Sequence, residues 1–374
     1  MSRNITATTS ISALAHNLSQ VRRCAPGARV WAVVKANAYG HGLPAALQGF
    51  AAADGLALLE FEGAAMLRAA RWTRPILMIE GAFAAADVEL ASRLSLSLVV
   101  HCEEQVRWLE AHCGAPVAVI LKINTGLNRL GVPPAKAAAF HERLRTCPGA
   151  ASVGLMTHFA NSDVADGAAR PMSLFDQATR GLPGERSLAN SAAVLTLARS
   201  HHDWVRPGII LYGATPFADR SAASFGLRPA MELAGSLIAV QDLSEGDAVG
   251  YGSQFVAAGR MRIGIVNCGY ADGYPRLAPT GTPIAVAGVR TRTVGRVSMD
   301  MIAVDIDAIP QARIGTPVEL WGGMVSVDEV ATRAGTIGYE LLCAVTARVR
   351  REVRNDFARS LSGLSKGARG GWQG

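Results

Sequence analysis

The sequence contains no apolar run close to the roughly 18 residues that a membrane-spanning helix needs. Its first residues, MSRNITATTSISALAHNL, lack the basic region followed by an apolar stretch that is typical of a signal peptide. The six cysteines include no CxxC pair, and a chain of 374 residues is too long for the disulfide frameworks of small secreted domains. We therefore expect a cytoplasmic location, reduced thiols and no membrane association.

The sequence gives little support for a metal site or for a nucleic-acid-binding site. The pairs His101-Cys102 and His112-Cys113 have a spacing that fits no common zinc pattern, so no metal is expected. The formal net charge is +7, but the basic residues are scattered rather than gathered on one face. This pattern argues against a nucleic-acid partner and suits small anionic ligands better.

Lysine is scarce, because only four of the 37 basic residues are lysine. A lysine can lose its proton and act as an amine nucleophile or base, whereas an arginine cannot. Lys136 (PPAKAAAF) and Lys366, in the C-terminal tail, have bland surroundings and are expected to be exposed. Lys35 (WAVVKAN) and Lys122 (AVILKIN) each end an apolar run, where loss of water lowers the pKa of an amine. These two lysines are therefore candidates for chemistry; the alternative for Lys35 is a snorkelling lysine at a strand end.

From residue 30 to about residue 210, short apolar runs alternate with Ala- and Leu-rich stretches of helical spacing. Alternating strands and helices favour a parallel sheet covered by helices, and eight repeats predict a (β/α)8 barrel. A doubly wound sheet is the alternative, although no GxGxxG motif follows any run. The predicted strands are Val30–Val34, Leu56–Leu59, Ile76–Ile79, Leu96–Val100, Val117–Ile123, Val153–Met156, Ser187–Ala189 and Trp204–Val205.

The pattern of the sequence changes after about residue 227. Short alternating stretches with Gly and Pro turns, such as PIAVAGVRTRTVGRVSMDMIAVDID, replace the helical spacing and predict β-strands. We therefore expect two domains, an N-terminal barrel over residues 1–227 and a C-terminal mostly-β domain over residues 228–374. The Gly- and Ser-rich end, SLSGLSKGARGGWQG, is expected to be a loose tail.

Active sites of (β/α)8 barrels collect at the carboxyl ends of the strands. One polar residue at such an end can simply mark where a strand stops, whereas eight in register predict a site at this rim. Both unusual lysines belong to the set, which is Lys35, Glu60, Glu80, His101, Lys122, His158, Asn190 and Arg206.

Lys35 lies in the segment VVKANAYGHG, and a neutral amine there can form a Schiff base with an aldehyde such as pyridoxal phosphate. This segment resembles the cofactor-lysine motif of alanine racemases, which are pyridoxal-phosphate enzymes with an α/β barrel and a C-terminal β domain. The resemblance implies interconversion of L- and D-alanine, supplying D-alanine for peptidoglycan. It continues in the family's order through LKINTGLNRLG, THFANSD, LANSAA, VRPGIILYGATP, VGYGSQF, GYADGYPR, VGRVSMDM and GTIGYE.

The resemblance implies racemisation by two bases. Lys35 would carry the cofactor as an internal aldimine and act as base on one face of the substrate Cα, and Tyr251 would act on the opposite face. In this family the tyrosine reaches into the barrel of the partner subunit, so a homodimer with shared active sites is implied. A tyrosine with an ordinary pKa near ~10 needs help from its neighbours to act as a base at neutral pH.

The resemblance also implies binding roles. Arg206 would contact the pyridine nitrogen, which would stay unprotonated because a guanidinium does not give up its proton. Arg129 would orient the substrate carboxylate, and a carbamylated Lys122 would position that arginine; an unmodified Lys122 beside an anion or water is the alternative. Asn190 with Ser191 could instead form a helix N-cap. The further cofactor contacts would be Tyr39, His158, Asn190, Ser191, Gly208, Ile209 and Tyr339, and the further substrate contacts Met299 and Tyr270.

One position departs from the family's pattern, because Asn124 stands where many relatives have aspartate. Three other functions stay open. A broader amino-acid racemase would have a roomier pocket, and a decarboxylase would use a similar barrel. A non-catalytic cofactor-binding barrel is the third. The Tyr251 motif argues against the decarboxylase, and the predicted β domain argues against the non-catalytic protein.

Overall fold

The structure, a computed structural model, describes residues 3–356. Contacts divide this part of the chain into one unit of residues 15–211 and 215–227 and another of residues 3–14, 212–214 and 228–356. The expected tail, with Lys366, lies outside the described residues. The predicted division after residue 227 differs from these units at residues 3–14 and 212–214, which were expected with the barrel and belong to the other unit. The division into two domains stays a prediction.

The first unit is a closed barrel of eight parallel strands, so the predicted fold class is confirmed. The strands follow one another around the barrel in chain order, and the last closes on the first where Val30 pairs with Val205. Each predicted apolar run overlaps one strand. The barrel strands are β2 (Arg29–Val33), β3 (Gly55–Leu58), β4 (Ile76–Met78), β5 (Ser97–Val100), β6 (Val117–Lys122), β7 (Ala150–Met156), β8 (Arg186–Ser187) and β9 (Trp204–Val205).

The apolar runs form strands here because a barrel strand is covered on both faces. Every residue of β3 and β4 is buried, as expected for the near-continuous apolar runs of parallel sheets. Helices return the chain to the next strand, and α6, for example, turns Val106 and Leu109 inward. The helices are α1 (Ile11–Cys24), α3 (Leu43–Gly49), α4 (Phe61–Ala69), α5 (Ala85–Arg93), α6 (Glu103–Ala111), α7 (Ala137–Arg145), α8 (Ala169–Ala178) and α9 (Ser191–Thr196), with α2 (Lys35–Tyr39) a left-handed turn.

The second unit is built on an eight-stranded sheet in the order β13-β16-β15-β14-β17-β10-β1-β18. The 13-residue strand β10 pairs with β1 and β17 through its first half and with β13 through its second. The elements are β1 (Thr6–Ser10), β10 (Met231–Leu243), β11 (Ala248–Val249), β12 (Phe255–Val256), β13 (Met261–Val266), β14 (Pro283–Val286), β15 (Val289–Val294), β16 (Ile302–Asp305), β17 (Pro317–Trp321), β18 (Arg350–Arg354), α10 (Val327–Arg333) and α11 (Gly338–Ala344).

Strand β1 belongs to this sheet because it pairs antiparallel with β10 and parallel with β18. Both partners lie more than 200 residues further along the chain, so nothing local in TATTS reveals them. None of the helices within residues 3–356 is long and apolar enough to cross a membrane. All six cysteines carry free thiols.

Candidate active site

Lys35 directly follows β2 and opens the left-handed turn α2. Residues 36–39 all have φ values between 50° and 55°, although none of them is glycine. A left-handed conformation costs about 1–2 kcal/mol for each such residue, so the surroundings must hold the turn. The backbone N–H of Ala36 donates to the Glu60 carboxylate (3.2 Å), and that of Ala38 donates to the Val34 carbonyl (2.9 Å). Backbone strain of this kind is concentrated at functional sites.

Tyr39, at the end of this turn, meets the residues that follow β8 and β9. Its hydroxyl lies against the Cα of Gly208, because a Cβ at that glycine would be 2.4 Å from the oxygen. The N–H of Gly208 donates to the Ser191 hydroxyl (2.9 Å), and Ile209 begins the short 3-10 turn that comes next. Two hydroxyls and a backbone N–H therefore converge at the corner where barrels of this type bind phosphate groups.

Arg206 follows β9 and is buried. Its guanidinium donates to the Ser187 hydroxyl (2.5 Å) and to the carbonyls of Thr157 (2.5 Å) and Leu188 (3.2 Å). No carboxylate among the described residues pairs with it. Burial lowers the pKa of Arg206 to about 9. The site thus holds a buried guanidinium that neutral groups orient.

Lys122 ends β6 and is also buried. Burial, followed by the charges of Arg206 and Arg129, lowers the pKa of Lys122 to about 8. Burial and the same cationic groups hold the pKa of His158 well below its usual range, so this imidazole is neutral at pH 7. The rim of the barrel is therefore rich in positive charge, and an anion would be stabilised there.

Asn190 caps helix α9, as the alternative interpretation proposed. Its side-chain oxygen accepts the N–H of Ala193 (3.2 Å) and the hydroxyl of Ser162 (2.7 Å). These contacts place Ser191 at the first position of the helix. A cofactor contact by Asn190 stays a prediction.

Arg129 is exposed on the loop that follows β6. Asn124 organises this loop, because its side-chain oxygen accepts the N–H groups of Gly126 and Asn128 (3.1 Å each). Its amide group also donates to the Asn128 side chain (2.9 Å), which a carboxylate at this position could not do. The departure from the family's pattern is thus a structural feature of the loop that presents Arg129.

The other predicted site residues belong to the second unit. Tyr251 is 71% exposed in the turn between β11 and β12, beside Gly252. Arg296 faces that turn, with its guanidinium 3.1 Å from where a Cβ of Gly252 would be. Tyr270 and Met299 lie on two turns whose backbones pair with each other, and Tyr339 is half-buried in α11.

The sequence interpretation missed the groups that orient Arg206. Thr157 supplies a carbonyl to Arg206, and its hydroxyl lies 2.7 Å from that of Thr125. Ser187 supplies a hydroxyl to the same guanidinium. Thr157 follows the predicted strand Val153–Met156 and Ser187 begins the predicted strand Ser187–Ala189, so the local pattern did not mark either residue as a partner of Arg206.

The structure shows what His112, from the His-Cys pairs considered as a metal site, contacts instead of a metal ligand set. His112 is buried, and its ring nitrogens contact the Glu89 carboxylate (2.7 Å) and the Ala115 carbonyl (3.0 Å). Within residues 3–356, no group of three or more His, Cys, Asp or Glu side chains is placed to hold a metal ion.

Family models and curated relatives of this sequence indicate the same family. The model of the alanine racemase N-terminal domain matches residues 9–216, and that of the C-terminal domain matches residues 230–353. An alanine racemase of Burkholderia mallei (strain SAVP1) is 54% identical over 352 residues, which cover 93% of this chain and 99% of the relative.

Solved structures agree. The biosynthetic alanine racemase from Pseudomonas aeruginosa matches with a TM-score of 0.91 at 48% identity, covering 94% of this chain and 99% of that one. The alanine racemase from Acinetobacter baumannii matches with a TM-score of 0.90 at 37% identity, covering 94% and 100%.

Proposed function

This chain belongs to the alanine racemase family, and on that premise we propose that it interconverts L- and D-alanine with pyridoxal phosphate bound through Lys35. The product D-alanine would serve peptidoglycan synthesis. The observation that carries the proposal is the corner formed by Tyr39, Ser191 and Gly208 at the same rim as Lys35. The expected cytoplasmic location stays a prediction.

The residues at the rim fit the cofactor. The absence of a side chain on Gly208 leaves room for the Tyr39 hydroxyl, and a Cβ there would fill that space. Tyr39, Ser191, Tyr339 and the backbone N–H groups of Gly208 and Ile209 would hold the phosphate. Bound pyridoxal phosphate supplies an electron sink for the carbanion that remains when the Cα proton leaves.

Arg206 would donate a hydrogen bond to the pyridine nitrogen without giving up its proton. Its fixed acceptors, the Ser187 hydroxyl and two carbonyls, support this orientation. His158, held neutral, would lie beside Arg206 and the ring. By leaving the pyridine nitrogen unprotonated, Arg206 would favour return of the proton to Cα over transamination.

Racemisation requires a proton donor and acceptor on each face of Cα. The amine of Lys35 would serve one face, and the phenol of Tyr251 of the partner subunit would serve the other. We therefore propose a homodimer with two shared sites. The high exposure of Tyr251 in this chain supports the proposal, because a large aromatic side chain at 71% exposure is suited to a contact with another molecule.

Substrate binding would rest on a second group of residues. Arg129 would orient the substrate carboxylate, and the backbone of Met299 would contact it. A carbamate on Lys122 would position Arg129 by charge. Tyr270 and Tyr339 would narrow the entrance, so that little more than a methyl side chain is accepted.

The proposal is tested with the purified holoenzyme and either enantiomer of alanine, followed by chiral chromatography. We expect both reactions to reach the same mixture, and borohydride reduction followed by peptide mapping to find the pyridoxyl group on Lys35. Lys35→Ala should abolish both results, whereas Lys136→Ala, at an exposed position, should change neither. Strong turnover of serine, lysine or arginine would favour the broader racemase, release of carbon dioxide the decarboxylase, and bound cofactor without turnover the non-catalytic protein.

A further inference from the structure

Arg3 joins its own N-terminal segment to two other segments of the second unit. Its guanidinium donates to both carboxylate oxygens of Asp272 (3.0 Å each). It also donates to the carbonyls of Asn267 (2.8 Å) and Asp300 (3.2 Å). The planar guanidinium is suited to such a set of acceptors because its donors point in fixed directions. Arg3 therefore connects neighbouring loops, and we call Arg3 with its four hydrogen bonds the clamp.

Two of these segments carry the turns with Tyr270 and Met299. The N–H of Tyr270 donates to the Ser298 carbonyl (3.1 Å), and that of Ala271 donates to the Met299 carbonyl (3.0 Å). Gly269 permits this close approach, because a Cβ there would lie 2.3 Å from the Met299 carbonyl oxygen. The two turns are therefore joined by their backbones.

The Asp272 carboxylate under these turns is completely buried. It also accepts the N–H of Gly269 (3.0 Å) and lies 3.5 Å from Nε of Arg348. Arg348 in turn pairs with the Asp300 carboxylate (2.5 Å). Arg3 and Arg348 thus face the carboxylates of Asp272 and Asp300. Without Arg3, the cation left beside the buried Asp272 carboxylate would be Arg348, which lies farther from it.

The side chains on the joined turns have little packing of their own, since Tyr270 is 38% and Met299 is 53% exposed. Their position consequently depends on the contacts beneath them, and Arg3 supplies four hydrogen bonds there, two to backbone carbonyls and two to the Asp272 carboxylate. A displacement of the clamp would move the Met299 backbone and the Tyr270 ring at the same time.

We propose that Arg3 is a positioning residue for substrate binding, which holds the Tyr270 and Met299 turns in the arrangement that accepts a small amino acid. The inference rests on the proposed roles of Tyr270 and Met299 in substrate binding. It assigns selectivity for a short side chain partly to an arginine that does not touch the substrate. Arg3 acts through Asp272 and the two carbonyls.

The test is steady-state kinetics of the holoenzyme with alanine and with serine. For Arg3→Gln we expect KM for alanine to rise about 10-fold while kcat changes less than about 2-fold, because a binding contact is displaced. The ratio of kcat/KM for serine to that for alanine should rise as the pocket loosens. Arg3→Lys should be intermediate, because an ammonium group can pair with Asp272 but cannot also reach both carbonyls.

Arg22→Gln is the matched control, because Arg22 binds one carboxylate (Asp54, 3.0 Å) and one carbonyl (Ala52, 2.5 Å) in the barrel unit. It should leave KM and the serine-to-alanine ratio unchanged. If Arg3→Gln does not fold, KM for alanine and the serine-to-alanine ratio of kcat/KM are measured in Arg3→Lys and test the inference in its place.

Two results would overturn the inference. One is that the Arg3 variants have the same KM for alanine and the same serine-to-alanine ratio of kcat/KM as Arg22→Gln. The other is that substitution of Arg3 lowers kcat and leaves KM unchanged. A wild-type protein that does not racemise alanine would instead overturn the proposed function itself.

Discussion

The burial of Lys122 predicts that this lysine forms a carbamate with dissolved carbon dioxide. Burial and the nearby cationic groups lower its pKa from 10.5 to about 8. At pH 7 the neutral amine would then amount to about 10% of the population instead of about 0.03%, roughly a 300-fold increase. Only the neutral amine attacks carbon dioxide, and the carbamate that results is an anion within the field of Arg129 and Arg206.

The assay is carbon-13 NMR of the protein equilibrated with labelled bicarbonate over a range from about pH 6 to about pH 9. With the concentration of dissolved carbon dioxide held constant across this range, the rate of carbamate formation should rise with pH and level off above about pH 8, because the amine loses its proton as the pH passes its pKa. Lys122→Gln should remove the signal. It should also raise KM for alanine about 10-fold, since Arg129 loses its anionic neighbour.

Lys136→Gln is the control, because Lys136 is exposed and its removal should leave the carbamate signal intact. Absence of any carbamate in the wild-type protein at about pH 8 would refute the reasoning from burial. A signal that persists in Lys122→Gln would refute the assignment, and a rate that is constant across the pH range would refute the lowered pKa.

Two further variants test other parts of the site. Tyr251→Phe should retain the cofactor but lower racemisation by about 10²–10⁴-fold, as expected for loss of a general acid–base group; deuterium incorporation from solvent that stays unchanged for both enantiomers would contradict this. Gly208→Ala should weaken cofactor binding about 10-fold or more, because its methyl group would lie 2.4 Å from the Tyr39 hydroxyl. Gly27→Ala, where a Cβ meets nothing within 4 Å, is its control, and equal cofactor affinity in the two variants would count against the phosphate corner.

The sequence predicted the barrel well because its signal is local. A strand that is covered on both faces must be apolar along its length, and runs such as VWAVV and ILMI satisfy that requirement residue by residue. The positions of Lys35, Lys122 and Arg206 at the rim follow from the same pattern, since parallel strands end at one edge. The expectation of a lowered pKa at Lys122 also came from its apolar neighbours.

Other features could not be read from local patterns. Nothing in KANAY indicates four successive left-handed residues, because alanine and tyrosine ordinarily avoid that conformation. The assignment of residues 3–14 to the second unit depends on pairing across more than 200 residues. The hydrogen bonds of Arg206 to Ser187 and Thr157 depend on three strands meeting at the rim.

The amino-acid sequence by itself determined the kind of barrel, the position of two lysines at its rim and the family, because hydrophobic period and residue type act over short distances along the chain. The tertiary structure decided which groups meet. It brought the Tyr39 hydroxyl against Gly208, buried Arg206 among neutral acceptors, and tied Arg3 to a carboxylate far along the chain. Such contacts depend on closure of the barrel and the sheet, which fixes distances between residues that the order of the chain leaves free.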